Sequence, residues 1–323
     1  MDAADSLQVI VGAGPVGTAL AVRLSREGKR VRVLTRSGRD TGIADVEFVA
    51  TDASDPEQLT AATSGAQVLY NCANPGAYQA WEREWPPLAA AFLTAAERTG
   101  AVLVTASNLY GYGPVSEPMN RSTPLRPSDH KGALRTRMWH DALAAHEAGR
   151  VRVAEARASD YIGPTLPVGN GLLAMYADAT LAGSTARVFA DPDQPHTWTA
   201  IEDVAATLSA LGQNEKAWGS AWIVPSNPPQ TVRQVLQALH TEIGLAEPRL
   251  QRIPRWVLRT ASPFVPLVRE VVGVLYQFDA PFVSDGSETT ERLGVPPTAW
   301  TDVVSETAAA WHTRARGEGR AGA

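Results

Sequence analysis

Gly12, Gly14 and Gly17 stand in the spacing Gly-x-Gly-x-x-Gly. They follow the apolar run Leu7 to Val11 and open a helical pattern, with Pro15 in its first turn and Gly28 as its stop. A strand, a glycine turn and a helix in that order form the fingerprint that cradles the pyrophosphate of a dinucleotide. Gly12 permits the tight turn, Gly14 lets the backbone approach the phosphates, and Gly17 lets helix and strand pack closely. The helix that starts at Pro15 attracts the anion through the free N–H groups of Val16 and the residues after it, and through its dipole. A glycine-rich turn without a ligand is the competing reading, and the strand–turn–helix context argues against it.

The second chemical signal lies about twenty residues further on, where an NAD site places Asp or Glu on the ribose 2′-hydroxyl. Here the strand Arg30 to Leu34 runs out into Leu34-Thr35-Arg36-Ser37, with no carboxylate. Arg36 is placed to bind a 2′-phosphate and stack on adenine, with Ser37 or Arg39 assisting. The expected cofactor is NADP(H), with NAD(H) the alternative. The missing acid also argues against flavin monooxygenases, which share Gly-Ala-Gly-Pro-Val-Gly.

The elements that must position these residues alternate. Val46 to Ala50, Ala66 to Tyr70, Ala101 to Thr105 and Val151 to Ala156 read as further strands. Pro86 to Arg98 and Leu134 to Ala148 read as helices rich in Ala and Leu. Repeated βα units of this length predict an α/β fold, a Rossmann-type doubly wound parallel sheet. After Gly163-Pro164 the pattern loosens into short helices, Leu172 to Leu181, Ile201 to Leu211 and Val232 to Ile243, with Pro-rich links. Residues 1–164 are expected to form the dinucleotide-binding domain, with a return strand near 220–225. Residues 165–323 are expected to form mostly a smaller C-terminal substrate-binding lobe.

Strand carboxyl ends line the ligand crevice of such a sheet. The loop from Asn74 to Trp81 follows the fourth strand and carries Tyr78 and Trp81, which could wall a ring-shaped substrate; helix packing is the competing reading for Trp81. Trp198, Tyr276 and Phe278 could contribute from the second lobe.

The chain has 323 residues, 44% hydrophobic and 20% charged, which suits a globular protein with a sizeable core. A net charge of −5 offers no basic face for nucleic acid. The single cysteine, Cys72, excludes an internal disulfide and a Cys-type metal site, and no metal is expected. No run of about 18 apolar residues predicts a membrane span, and no signal peptide is legible, so a cytoplasmic location is expected.

Several segments carry a family resemblance. Thr51-Asp52-Ala53-Ser54-Asp55 follows the third strand and Asn71-Cys72-Ala73-Asn74-Pro75 the fourth. Ser107-Asn108-Leu109-Tyr110-Gly111 follows the fifth, Arg157 to Pro164 ends the sixth, and His196 to Ala205 comes later. In order and spacing, from Leu7 to about Ala206, these resemble extended short-chain dehydrogenases/reductases of the NAD-dependent epimerase/dehydratase-like kind. The resemblance implies that Asp52 and Ala53 meet the adenine. It implies that Cys72, Ala73 and Asn74 turn beside the cofactor ribose, that Tyr161 touches the cofactor, and that Asn108 touches the substrate. It also implies a small-molecule substrate and a homodimer through the two long helices.

Two departures stand out. The family's Gly-x-x-Gly-x-x-Gly would need glycine at Val11. The family's catalytic Tyr-x-x-x-Lys is missing: its place reads Lys131-Gly132-Ala133-Leu134-Arg135, and no tyrosine lies between Tyr112 and Tyr161. The usual catalytic Ser/Thr falls on Ala106, one step from Ser107. Lys131 and Arg135, on one helix face, are expected beside the nicotinamide ribose. Arg135 could hold the ribose but cannot give up a proton. Lys131 could grip cofactor, or trade a proton if burial beside Arg135 favours its neutral form. Tyr112, in a Gly-Tyr-Gly-Pro loop, is expected to be free to face substrate. Two functions fit: an NADP(H)-using enzyme on a small carbonyl, sugar-nucleotide or secondary-metabolite substrate, or a dinucleotide-binding protein without redox turnover, such as a sensor, scaffold or non-redox cyclase or isomerase.

Overall fold

Leu7–Val11 forms β1, and all five of its residues are buried. A strand buried on both faces belongs in the middle of a parallel sheet covered by helices on both sides. The computed structural model, which describes residues 6–76, 78–166, 171–261 and 272–321, places it there. The further strands are β2 (Arg30–Thr35), β3 (Val46–Ala50), β4 (Ala66–Asn71), β5 (Val102–Asn108), β6 (Val153–Ala158), β7 (Asp160–Ile162), β8 (Ala186–Val188), β9 (Trp198–Ala200), β10 (Ser220–Ile223) and β11 (Leu250–Arg252). Seven of them make one sheet in the order β10-β6-β5-β4-β1-β2-β3, with every neighbouring pair parallel. The strand order reverses between β1 and β4, and that switch point opens a crevice at the carboxyl ends of the strands.

Helices α1 (Pro15–Arg26), α2 (Pro56–Thr63), α3 (Trp81–Thr99), α4 (His130–Glu147), α5 (Leu172–Leu181), α6 (Ile201–Gln213), α7 (Val232–Glu242) and α8 (Arg255–Ala261) connect and cover the strands. On one face α1 packs against α6, joining Leu20 and Leu24 to Val204, Leu208 and Leu211 in one core. On the other, α3 and α4 bury Phe92, Ala95, Trp139 and Ala145 in a second core. The sheet is therefore doubly wound, as the strand and helix alternation predicts. The chain returns to this layer late: α6 packs against α1, β5 and β6, and β10 pairs with β6. The rest of the C-terminal part gathers α5, α7 and the helix Trp300–Ala321. Two-stranded parallel pairs, β7 with β9 and β8 with β11, complete it.

Two helix starts differ from the sequence pattern. Proline favours a first turn, which sets the start of the third helix at Pro86. In the structure α3 begins at Trp81, and Pro86 and Pro87 lie inside it. Each proline removes one backbone hydrogen bond, and the burial of Trp81 and Trp85 holds the turns before them. Helix α4 starts at His130, ahead of Leu134, because the Asp129 side chain accepts from the amides of Lys131 and Gly132.

Candidate active site

A cleft of about 860 Å³ runs across the carboxyl ends of the strands, from Arg36 and Asp52 at one end to Trp198 and Gln277 at the other. Its middle is the glycine turn. Gly12 has φ +103°, and a Cβ there would lie 2.7 Å from the Cys72 carbonyl oxygen. A Cβ on Gly17 would lie 1.9 Å from the Gly12 carbonyl oxygen, whereas one on Gly14 would meet nothing within 4 Å. The three glycines thus differ: a tight turn at Gly12, open space at Gly14 and a close helix–strand contact at Gly17. Pro15 and Val16 line the cleft at the start of α1, which has no capping side chain. By contrast, Asp55, Asp129 and Thr231 cap α2, α4 and α7. The N-terminus of α1 keeps its backbone donors for whatever enters.

At one end Arg36 and Asp52 are both exposed in the cleft wall. The Asp52 carboxylate accepts from the Ser54 hydroxyl at 2.6 Å and the Ser54 amide at 3.0 Å. Those bonds hold its carboxyl below the usual range, and Arg36 adds to the effect. Ala53, Cys72, Ala73 and Asn74 follow along the wall. Asn71 Oδ1 accepts from the Ala73 amide and fixes that turn. Burial pushes the Cys72 thiol up to about 12.

The other end is built around Arg135. This side chain is 8% exposed, and Nη2 donates to the Ala106 carbonyl at 3.0 Å. Its guanidinium lies 4.5 Å from the centre of the Trp85 ring and 6.0 Å from that of Trp81. Nε and Nη1 are buried without a hydrogen-bond partner. Buried donors are almost always paired, so a water or a ligand in the cleft would meet these two. Burial lowers its proton affinity, and Glu155 opposes that. Glu155 is itself bonded to Arg157 Nε at 2.7 Å. Glu155 thus pairs with Arg157, and Arg135 makes no ion pair with a carboxylate among the described residues. Tyr161 also lines the cleft; burial pushes its phenol up to about 12, against the pull of Arg135.

Ser107 is buried at the cleft, and Asn108 Oδ1 accepts from the Tyr110 amide. Trp81 stacks on Tyr110 at 6.3 Å, and its Nε1 donates to the Pro75 carbonyl. Trp81 is buried packing and cleft wall at once. Trp198 comes in from β9, with Nε1 donating to the Gln230 carbonyl. Tyr78 lies on the short turn Tyr78–Ala80, and its side chain is outside the described residues.

Two expectations are corrected. Lys131 and Arg135 do not stand side by side in the cleft. Lys131 is 0% exposed, and its Nζ lies 3.7 Å from the place of a Cβ on Gly273, beneath the C-terminal part. Residues four apart share a helix face but lie roughly 6 Å apart along the axis, so one can reach a cleft while the other is covered. Tyr112 does not face a substrate. It is 1% exposed, its hydroxyl accepts from Arg157 Nη1 at 2.9 Å, and it packs with Leu109, Met119, Ile223 and Phe282. The turn Tyr110–Tyr112 folds it inward onto that buried arginine. Sequence reasoning missed Asp160, which lines the cleft, and His196 behind it. Asp160 stands in the quoted segment Arg157 to Pro164, but nothing local marks a pair made across 36 residues.

The family model for the NAD dependent epimerase/dehydratase family matches residues 9–223. A dTDP-6-deoxy-L-talose 4-dehydrogenase (NAD(P)(+)) of Kitasatospora kifunensis is 28% identical over 260 residues, which cover 73% of this chain and 79% of that one. Among solved structures, UDP-glucose 4-epimerase from Thermotoga maritima with UDP-glucose is similar at a TM-score of 0.76 and 15% identity, over 95% of this chain and 99% of that one. A dTDP-glucose 4,6-dehydratase from Streptomyces venezuelae with NAD bound is similar at 0.75 and 18% identity, over 97% and 98%. These structural likenesses are likenesses of fold. Among the described residues no helix is long and apolar enough to cross a membrane.

Proposed function

From the premise that this chain belongs to the NAD-dependent epimerase/dehydratase family, and so is an enzyme of the oxidoreductase, epimerase or dehydratase kind, we propose an NADP(H)-dependent activity on the hydroxyl or carbonyl carbon of a sugar nucleotide or a similar small metabolite. One observation carries the reading: a single continuous cleft joins the uncapped N-terminus of α1 to the Arg135 guanidinium, whose Nε and Nη1 have no hydrogen-bond partner.

The residues fit such a dinucleotide along the whole cleft. Gly14 and the start of α1 would take the pyrophosphate. Arg36 would take the 2′-phosphate and Asp52 the adenine, and Cys72, Ala73 and Asn74 would flank the ribose. Arg135 would donate Nε and Nη1 to the nicotinamide ribose or to a substrate oxygen. When bound, the nicotinamide supplies or accepts a hydride. Arg135 contributes a fixed positive charge in a buried setting, where it favours an oxygen that becomes anionic. Its flat fork holds position but carries no proton to give. Ser107 and Tyr161 complete the wall around it, so the catalytic set differs from Tyr-x-x-x-Lys. Leu173, Ala174 and Trp198 would enclose the substrate from the C-terminal side. Two copies would pair through α3 and α4, which gel filtration with light scattering reads as a mass of twice the 34.4 kDa chain.

The activity test incubates the protein with NADP+ or NADPH and a panel that includes dTDP-6-deoxy-L-talose, dTDP-glucose and UDP-glucose. Nicotinamide absorbance and the sugar products are followed together. Conversion of at least one sugar that depends on NADP(H) is expected. Tight NADPH binding with no conversion of any panel member would favour a dinucleotide-binding protein without turnover.

A further inference from the structure

His196 and Asp160 meet in the cleft wall at 3.0 Å between Nε2 and Oδ2. The histidine is 1% exposed and the aspartate 31%. The other ring nitrogen, Nδ1, lies 3.1 Å from the Gln277 carbonyl oxygen. A carbonyl oxygen only accepts, so Nδ1 carries a hydrogen. In a neutral ring Nε2 is then an acceptor, and it faces a carboxylate oxygen that also only accepts. Two acceptors do not hold a 3.0 Å contact; the contact requires one more proton between them. The Ser159 hydroxyl, 3.4 Å from Nε2, does not remove that requirement, because the Nε2–Oδ2 contact remains.

The surroundings agree. The His196 ring stacks on Phe278 at 4.5 Å and 11° and on Phe282 at 5.6 Å and 23°. Aromatic faces attract a cation laid over them. Backbone bonds in both directions with Gln230 fix the ring's origin. Asp160 Oδ1 has no hydrogen bond among the described residues, and the carboxylate lines the cleft. The phenols of Tyr161, Tyr176 and Tyr276 also feel Asp160, and burial pushes each of them up, so they keep their own protons.

We propose that Asp160 and His196 hold one proton between them, and that Asp160 passes it to the substrate oxygen and takes it back. Asp160 is the catalytic residue of the pair and His196 the positioning residue. This rests on the dinucleotide-dependent reading above. In the reducing direction, hydride from NADPH makes the new C–H bond and the C=O π pair moves onto oxygen. The new O–H bond forms as the bond from Asp160 to the shared proton breaks. The carbonyl carbon is reduced, the nicotinamide is oxidised, and solvent refills the pair through the exposed aspartate. The pair thus supplies the proton that Arg135 cannot.

The shared proton is read on the ligand-free full chain by ring nitrogen NMR of labelled histidine, with His196 assigned by its loss in His196→Gln. At pH 7 the expected result is a ring protonated on both nitrogens, or a protonated Asp160 carboxyl in the carbon spectrum. In Asp160→Asn the amide can donate to Nε2, and the ring should read neutral with its hydrogen on Nδ1. In the sugar panel assay Asp160→Asn should lower kcat by about 10²- to 10⁴-fold, with KM and NADPH affinity within about threefold. A bare Nε2 beside an ionised Asp160 overturns the proposal whatever the cofactor does. So does Asp160→Asn that keeps kcat within about threefold. If the shared proton is present but NADPH does not bind the unmutated protein, the functional reading fails and the catalytic role of the pair falls with it.

Discussion

From the Arg36 end to the middle of the cleft, the six consecutive residues Gly12 to Gly17 and their backbone conformations shape much of the wall. At the Arg135 end, side chains arrive separately from β5, α4, β7 and β9, with Gln277 added from the C-terminal part. The first end is open and its charges, Arg36 and Asp52, are exposed. At the second the cation is buried among tryptophan rings with two unpaired donors. Binding geometry written into one turn can be carried by glycine spacing. Chemistry that needs desolvated charge has to be assembled from distant strands, and its residues can be exchanged while the fold persists.

The largest expected effect concerns how dry the floor between the two ends is. Burial raises the Cys72 thiol to about 12, so below both values its thiolate fraction falls about a thousandfold short of an ordinary thiol near 9. A more basic thiolate is also the better nucleophile, so iodoacetamide labelling at pH 8 should be slowed by about 30- to 60-fold, and should quicken as pH climbs toward 12. Labelling at the rate of free cysteine would show that the floor is wet and the two ends alike.

The glycines come next. Gly17→Ala drives a Cβ into the Gly12 carbonyl oxygen. Overpacking of this kind costs about 3 kcal/mol, which urea unfolding would read, and NADPH binding should go with it. Gly14→Ala meets open space, so its stability should move by less than about 1 kcal/mol. Equal losses in the two variants would mean that the turn is not built as described.

A third pair tests which cation belongs to the cleft. Arg135→Met should weaken NADPH by about ten- to hundredfold, the range of a lost charge-assisted hydrogen bond. Lys131→Met should act on stability and leave affinity within about threefold. Isothermal titration of both variants with NADPH decides it, and the reverse ranking would restore Lys131 to the cleft.

Much of the scaffold is legible in the residues. β1 and β3 have the bounds their apolar runs predict, and β2 and β4 run one residue further. The glycine roles are legible because backbone geometry leaves few alternatives. The starts of α3 and α4 are not: tertiary burial of Trp81 and Trp85 overrides the proline signal, and Asp129 caps a turn that carries no apolar pattern. Spacing by four places Lys131 and Arg135 on one face but says nothing of what covers each turn. Tyr112 reads as a loop residue until Arg157, 45 residues away, is folded beneath it. The Asp160–His196 contact has no local period at all.

The central claim, a cleft that selects NADP(H) through Arg36, is met most directly by titrating NADPH and NADH against the unmutated protein and Arg36→Asp by nicotinamide fluorescence. The account predicts NADPH tighter by about ten- to hundredfold in the unmutated protein, and the order reversed in the variant. Equal affinities for the two cofactors in the unmutated protein would contradict it.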